Sequence, residues 1–277
     1  MTAEPTLTDL EILARQAGAM LIVGFGQRHQ VRRKGTYIDL VTEVDTATEA
    51  FLIAQIRSRF PDHHLVAEET GVHPGTAAGP RWYIDPLDGT VNYAHGMPYF
   101  SVSLAYADAA GLRYAAVYDP WRDECFCAAR GQGAWLNGRR LTVSRRENLA
   151  DSLLITGFPY DRWTNPDNNV NHFTHFLLRS SGVLRLGSAA LDLAYVAAGR
   201  ADGFWELRLK PWDVAAGALL VREAGGVVTD PTGAALNLDQ TAISVVAANP
   251  ELHAAMLEVL ALSARSQPQP REESHGR

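Results

Sequence analysis

A mixed α and β fold in two halves, meeting near residue 150, is what three features of the chain predict. The first is bulk: 277 residues, 47% of them apolar, are enough for one large domain or two small halves around a substantial core. The second is the stretch from Ser101 to Gly138, where short β-rich runs alternate with turns, as in an antiparallel sheet. The third is the stretch from Asp151 onward, where strand-like runs alternate with helical ones. A formal charge of −6 with scattered basic clusters argues against a chain that coats nucleic acid or an anionic membrane. No segment is long and apolar enough to span a bilayer, and Met-Thr-Ala-Glu-Pro lacks the basic and apolar regions of a signal peptide. A cytoplasmic protein is expected. Cys125 and Cys127 stand at i and i+2, too close to bridge comfortably and too few for a zinc site, so both are expected as reduced thiols.

In chain order, Thr6-Leu-Thr-Asp9 has the form of a capping start, and Leu7, Leu10, Leu13, Ala14, Ala17, Met20 and Leu21 recur at helical spacing, predicting a scaffold helix. Arg32-Arg-Lys34 reads as a solvated loop, with Lys34 also a candidate partner for a phosphate or an acid. Asp45 closes Thr42-Glu-Val-Asp before a helix carrying Ala47, Ala50, Phe51, Ala54 and Phe60; as its N-cap, Asp45 would need no further role. His64-Leu-Val-Ala67 reads as a short strand ending in Glu68-Glu69. Adjacent acids there point to opposite sides, so only one faces a given metal.

The aromatic and β-branched run Trp82-Tyr-Ile leads to Asp85, expected at the end of a buried strand, with a turn forced by Pro86 and Gly89. Asp85 and Asp88 would then share one small volume. Like charges that close raise one another's pKa unless a cation intervenes, and hard oxygen ligands suit Mg²⁺. Gly89 holds no side chain between the backbone and a ligand, and the amides of Gly89 and Thr90 at a helix start would receive phosphate. An Asp/Gly-rich surface turn accounts for the same residues, and the motif alone leaves both readings open.

Farther on, Gly131-Gln-Gly-Ala-Trp-Leu-Asn-Gly138 reads as a hairpin with an Asn-Gly turn. His95 reads as a packing residue. Residues 152–156 read as a strand, 157–166 as an aromatic and turn-rich loop, 169–178 as a helix and 183–186 as a strand. Gly187-Ser-Ala-Ala190 opens another helix; its small residues permit close approach of a ligand, and Ala-rich packing would explain them equally. Ala201-Asp-Gly-Phe-Trp-Glu206 reads as a strand ending in an acid. Pro211-Trp-Asp213 begins a helix, with Pro near its first position and Asp in its first turn. A last helix is expected over 251–262, and the polar stretch 263–277 is expected to be disordered.

Asp85-Pro-Leu-Asp-Gly-Thr-Val-Asn92 resembles the signature of the inositol monophosphatase family, the Mg²⁺-dependent, lithium-inhibited phosphatases. Asp39-Leu-Val-Thr-Glu-Val-Asp45, Ala67-Glu-Glu-Thr-Gly71, Gly187-Ser-Ala-Ala190 and Pro211-Trp-Asp-Val-Ala-Ala-Gly217 resemble its other motifs in the right order, from about Leu7 to Leu262. Leu191-Asp-Leu-Ala-Tyr-Val-Ala-Ala-Gly-Arg200 is similar to the bacterial branch. Where the family usually has Gly and Ser around the glutamate pair, this chain has Ala67 and Thr70.

The resemblance implies an α-β-α-β-α layered sandwich. Its halves would be 1–150, with the larger antiparallel sheet and the main metal motif, and 151–262, an α/β half completing the metal and substrate site. It implies two or three Mg²⁺ per site: one on Glu68, Asp85 and the carbonyl of Leu87, a second on Asp85, Asp88 and Asp213. It implies that Glu68 and Thr90 orient or deprotonate a water, with Asp45 bonded to Thr90, and that no covalent intermediate forms. Asp88, Gly89, Thr90, Gly187, Ala189, Glu206 and Asp213 would surround the substrate, with Lys34 at the edge of the site. The expected substrate is inositol 1-phosphate or a related sugar or polyol phosphate. Fructose 1,6-bisphosphate, histidinol phosphate and 3′-phosphoadenosine 5′-phosphate are the alternatives within the family. A homodimer is the common assembly. Because some bacterial relatives bind RNA polymerase, a transcription-associated regulator is the alternative of a different class, with Arg139-Arg140 and Arg145-Arg146 as candidate contacts. The Asp-x-Asp of haloacid-dehalogenase-type phosphatases is one residue shorter than the spacing here.

Overall fold

The structure, a computed structural model, describes residues 4–27, 32–33, 40–76 and 79–265; Lys34, Asp39 and the last twelve residues lie outside them. Helix α1 (Leu7–Gly24) starts as its sequence predicts, with Thr6 accepting from the Asp9 amide and the Asp9 carboxylate accepting from the Thr6 amide. Strands β1 (Arg32–Arg33) and β2 (Leu40–Val41) pair antiparallel ahead of α2 (Glu43–Arg59). Here the sequence reading needs correction. The N-cap is Thr42 and Asp45 is the third helical residue, because Thr42 and Asp45 form a reciprocal capping box.

An eight-stranded sheet follows: β3 (His64–Ala67), β4 (Gly71–His73), β5 (Arg81–Asp88), β6 (Ser101–Asp108), β7 (Gly111–Asp119), β8 (Glu124–Ala129), β9 (Gly133–Leu136) and β10 (Arg139–Arg140). Its order is β10-β9-β8-β7-β6-β5-β3-β4, antiparallel at every pairing except β3 with β5. Asn137 and Gly138, both at positive φ, make the anticipated turn between β9 and β10. Strand β5 does not stop at Asp85. It resumes pairing at Asp88 opposite Ser101 after a break in register, which absorbs Pro86, a residue without an amide to donate. The short helix α3 (Thr90–Ala94) then starts from Gly89 at φ 99°.

In the second half, β11 (Leu153–Thr156), α4 (Val170–Leu177), β12 (Gly182–Leu184), α5 (Ala189–Ala197), β13 (Gly203–Leu209), α6 (Pro211–Glu223), β14 (Val227–Thr229), β15 (Ile243–Ala248) and α7 (Pro250–Arg265) alternate. The five strands order as β12-β11-β13-β15-β14. Two expectations shift here. Strand β13 continues past Glu206 through a bulge that sets Arg208 at φ 59°. Helix α7 runs to Arg265, with Ser263 fully buried and its hydroxyl hydrogen-bonded to His172 Nδ1, so 263–265 are helix rather than tail.

Burial sorts the elements into layers. Leu10, Ala14, Ala17 and Leu52 of α1 and α2 pack on one face of the large sheet with Trp82, Ile84 and Leu104. Its other face, carrying Tyr83 and Val117, packs on α5 and α6, whose opposite side meets Phe204 and Val245 of the small sheet. Trp205, Val246 and Leu154 complete the far face against Phe176, Leu252 and Met256 of α4 and α7. The stack is α-β-α-β-α. Asn92 bridges the halves at one corner, its side-chain amide donating to the carbonyls of Tyr99 and Leu186, each at 2.8 Å. Cys125 and Cys127 are free and buried, their sulfurs 3.5 Å apart. No helix among the described residues is long and apolar enough to cross a membrane.

Candidate active site

Strand parity directs the acids. Along β5, Trp82 and Ile84 face α1 and α2 while Tyr83 faces the middle helical layer, so Asp85 faces that layer too. Along β3, Leu65 and Ala67 face α1 and α2, so Glu68 emerges on the same side as Asp85, its amide bonded to the Ile84 carbonyl at 3.1 Å. In the small sheet Phe204 faces the middle layer and Trp205 the outer one, which turns Glu206 inward. Asp213, in the first turn of α6, enters from the middle layer itself. The outcome is one cleft lined by Glu68, Asp85, Asp88, Glu206 and Asp213, together with Leu87, Gly89, Thr90, Gly187 and Ala189.

Each group is held differently. Asp85 accepts from the Leu87 amide at 3.0 Å. Asp88 lies against the start of α5, accepting from the Ser188 hydroxyl at 2.5 Å and the Ala190 amide at 2.8 Å, with the Ala189 amide at 3.2 Å. Thr90 donates toward Asp45 Oδ1 and the Leu87 carbonyl, each at 3.0 Å. Asp45 is fully buried and lies behind Thr90 rather than in the cleft. Asp213 accepts from the Lys210 amide at 2.8 Å. The Glu206 carboxylate accepts no hydrogen bond from any described residue; it rests on Gly157, where an added Cβ would stand 2.1 Å from its Oε1.

Burial and crowding make these acids hard to ionise. Asp85 is pushed well above the carboxylate range, first by burial and then by the charges of Glu68, Asp88 and Asp213. Asp213 rises for the same reasons, burial first, with Glu68 and Asp88 adding to it. Burial lifts Asp88 to about 6 against the pull of its α5 donors, and lifts Asp45 to about 6 with the charge of Glu68 adding to it. Glu206 reaches about 8 through burial, tempered by Arg185. Among the described residues no three His, Cys, Asp or Glu side chains already stand as a formed metal cluster. The donor set nonetheless fits a hard divalent cation: mutually repelling carboxyls and a backbone carbonyl, all oxygen, around one cleft.

The inositol monophosphatase family model matches residues 3–265. The chain belongs to that family. It is 46% identical over 255 residues to the Nus factor SuhB of Salmonella typhimurium, covering 91% of this chain and 94% of that one. Among solved structures, the inositol monophosphatase of Anabaena superposes with a TM-score of 0.82 at 41% identity, covering 92% of this chain and 96% of that one. The extragenic suppressor protein suhB of Bartonella henselae superposes with a TM-score of 0.84 at 36% identity, covering 92% and 98%. The layered fold expected of an inositol monophosphatase relative is thus observed.

Of the active-site candidates that fall among the described residues, all but Asp45 line the cleft; Lys34 lies outside the described residues. Arg185, Lys210, Arg208 and Tyr160 line it as well and went unnoticed. Arg185 lies two residues before the Gly187 motif and Lys210 directly before Pro211, so each adjoined a recognised segment without belonging to it. Also missed was Glu49. It is buried on α2 one turn after Asp45, at the i, i+4 spacing that puts two side chains on one helix face.

Proposed function

We propose that the chain is a Mg²⁺-dependent phosphomonoesterase acting on inositol 1-phosphate or a related sugar or polyol phosphate by direct attack of water. The observation that carries this is the meeting of Glu68, Asp85, Asp88 and Asp213, drawn from both halves, in one cleft that Glu206 also lines. Glu68, Asp85, Asp88, Asp213 and the Leu87 carbonyl would hold the ions. Bound Mg²⁺ supplies the positive charge that offsets a phosphate dianion and a departing alkoxide, and it acidifies water. The Thr90 proton lies between Asp45 and the Leu87 carbonyl, which leaves the hydroxyl's lone pairs to orient a water for in-line attack. Glu68 would take that water's proton. Gly89 lets phosphate approach the backbone. Glu206, whose carboxylate accepts no hydrogen bond among the described residues, would bind hydroxyls of the leaving group, with Gly187 and Ala189 leaving it room.

Phosphate release measured across inositol 1-phosphate, sugar phosphates and the rival monoesters, with Mg²⁺ and with added lithium, tests the reading. Turnover of a polyol monophosphate that disappears in Asp88→Asn is expected; no turnover of any monoester overturns it.

A second reading draws on the relatives called Nus factors: association with RNA polymerase. Asp88→Asn separates the two, since a purely regulatory chain keeps its cellular role when hydrolysis is lost. The homodimer we propose would cover the apolar groove lined by Met97, Pro98, Leu184, Leu186 and Tyr195. Light scattering reads its mass.

A further inference from the structure

Glu49 is buried, yet its carboxylate is fully occupied by the chain that leaves Glu68. Oε2 accepts from the Glu69 amide at 2.7 Å, and Oε1 accepts from the Thr70 amide at 2.8 Å and the Thr70 hydroxyl at 2.7 Å. The Thr70 hydroxyl is fixed in turn by His73 Nε2 at 2.6 Å. One turn earlier on the same helix, Asp45 receives the Thr90 hydroxyl. Helix α2 therefore grips both segments that carry the catalytic groups: the exit of β3 through Glu49 and the start of α3 through Asp45.

We infer that Glu49 is a positioning residue that fixes Glu68 relative to Asp85, with α2 acting as a ruler between the β3 exit and Thr90. The physical reason is geometric. Successive amides bonded to one rigid carboxylate fix the peptide planes on the far side of Glu68, while the Glu68 amide bonded to Ile84 fixes the near side. With both flanks held, the direction of the Glu68 side chain has little freedom, and ligands held in this way are the ones that bind metal tightly. Thr70 belongs to the device. A residue with a hydroxyl at that position adds a third donor to the carboxylate, whereas Glu69 contributes only its amide. The inference rests on the proposed role of Glu68 at the metal site.

Glu49→Gln tests it, because the amide group keeps the shape but turns a donor toward donors. Binding of Mn²⁺, followed by electron paramagnetic resonance, is expected to weaken by about 10- to 100-fold. The Mg²⁺ needed for half-maximal hydrolysis should rise in parallel, and excess Mg²⁺ should restore most of kcat with KM for the ester little changed. Arg57→Ala is the control. Arg57 holds the His63 and His73 carbonyls at the other ends of β3 and β4, so its loss loosens the same hairpin without touching the Glu68 exit. That variant should melt earlier and bind Mn²⁺ as before. Should Glu49→Gln fail to fold, Thr70→Val removes one donor alone and is expected to weaken Mn²⁺ binding several-fold. Unchanged Mn²⁺ affinity in the folded variants, or equal weakening in Arg57→Ala, overturns the positioning role. If the unaltered protein binds no Mn²⁺, or binds it undiminished in Asp213→Asn, the metal-site reading fails first, a result distinguishable from the failure of Glu49 alone.

Discussion

Along the wall of the cleft made by Asp85, Asp88, Thr90 and Asp213, each group is tied to a backbone amide, a helix start or a second carboxylate. Across from it, the Glu206 carboxylate has no such tie among the described residues, Arg208 sits in a left-handed bulge, and Tyr160 is 54% exposed on the 157–166 loop. The first wall is pre-organised, as groups handling a phosphate must be. The second is free to change without disturbing the first. On the proposed function, the contrast would place the chemistry and the choice of leaving group on separate elements.

The largest effect is expected on the rigid wall. Asp213→Asn should lower kcat by about a thousandfold, some 4 kcal/mol of barrier, at any Mg²⁺ concentration, with the fold intact by circular dichroism. A kcat within tenfold of the unaltered protein would erase the distinction between the walls. Next comes metal removal. At a hundredfold excess over its dissociation constant, Mg²⁺ adds about 2.7 kcal/mol, or roughly 5 to 10 °C in a chain of this length, visible by calorimetry. Identical melting with chelator would mean that the carboxyls do not share an ion. On the adaptable wall, Gly157→Ala presses a methyl against Glu206 and should raise KM for a polyol phosphate about tenfold while kcat with a simple aryl phosphate holds.

The smallest effect is on pH. Asp45 and Asp88 (about 6) and Glu206 (about 8) bind protons more tightly folded than unfolded, because burial disfavours their charged forms. Their contribution to stability is therefore full at acidic pH and is lost as pH rises through those values. The metal-free protein should melt a few degrees lower at about pH 8 than at about pH 5, a slope that saturating Mg²⁺ flattens because it binds the ionised forms. A metal-free melting point that climbs over this range would contradict the burial account.

What could be read in advance follows the same division. The rigid wall is written in contiguous motifs: Asp85 through Asn92 carries its turn residues, its carboxylates and its glycine within eight positions. The layered order comes from the family resemblance, while helical spacing and β-rich runs mark its individual elements. Other contributors are invisible in that way. Glu49 resembles any helical glutamate until the structure brings the Glu69 and Thr70 amides to it, and Arg185 owes its place to the packing of β12 against β11. The misplaced boundaries have local causes. A capping box moved the start of α2 ahead of Asp45, a bulge carried β5 past Pro86, and burial of Ser263 held the final turn of α7 in place.

The side-chain amide of Asn92 spans the two halves where the Tyr99 and Leu186 carbonyls face each other. That corner acts as the spine of a book whose covers are the two sheets. Other ties join the same halves, Tyr99 to Asp192 and Glu223 to the Gly131 and Gly133 amides, each at 2.8 Å. Cutting the spine with Asn92→Ala would remove both of its bonds, and those ties would still hold the halves together.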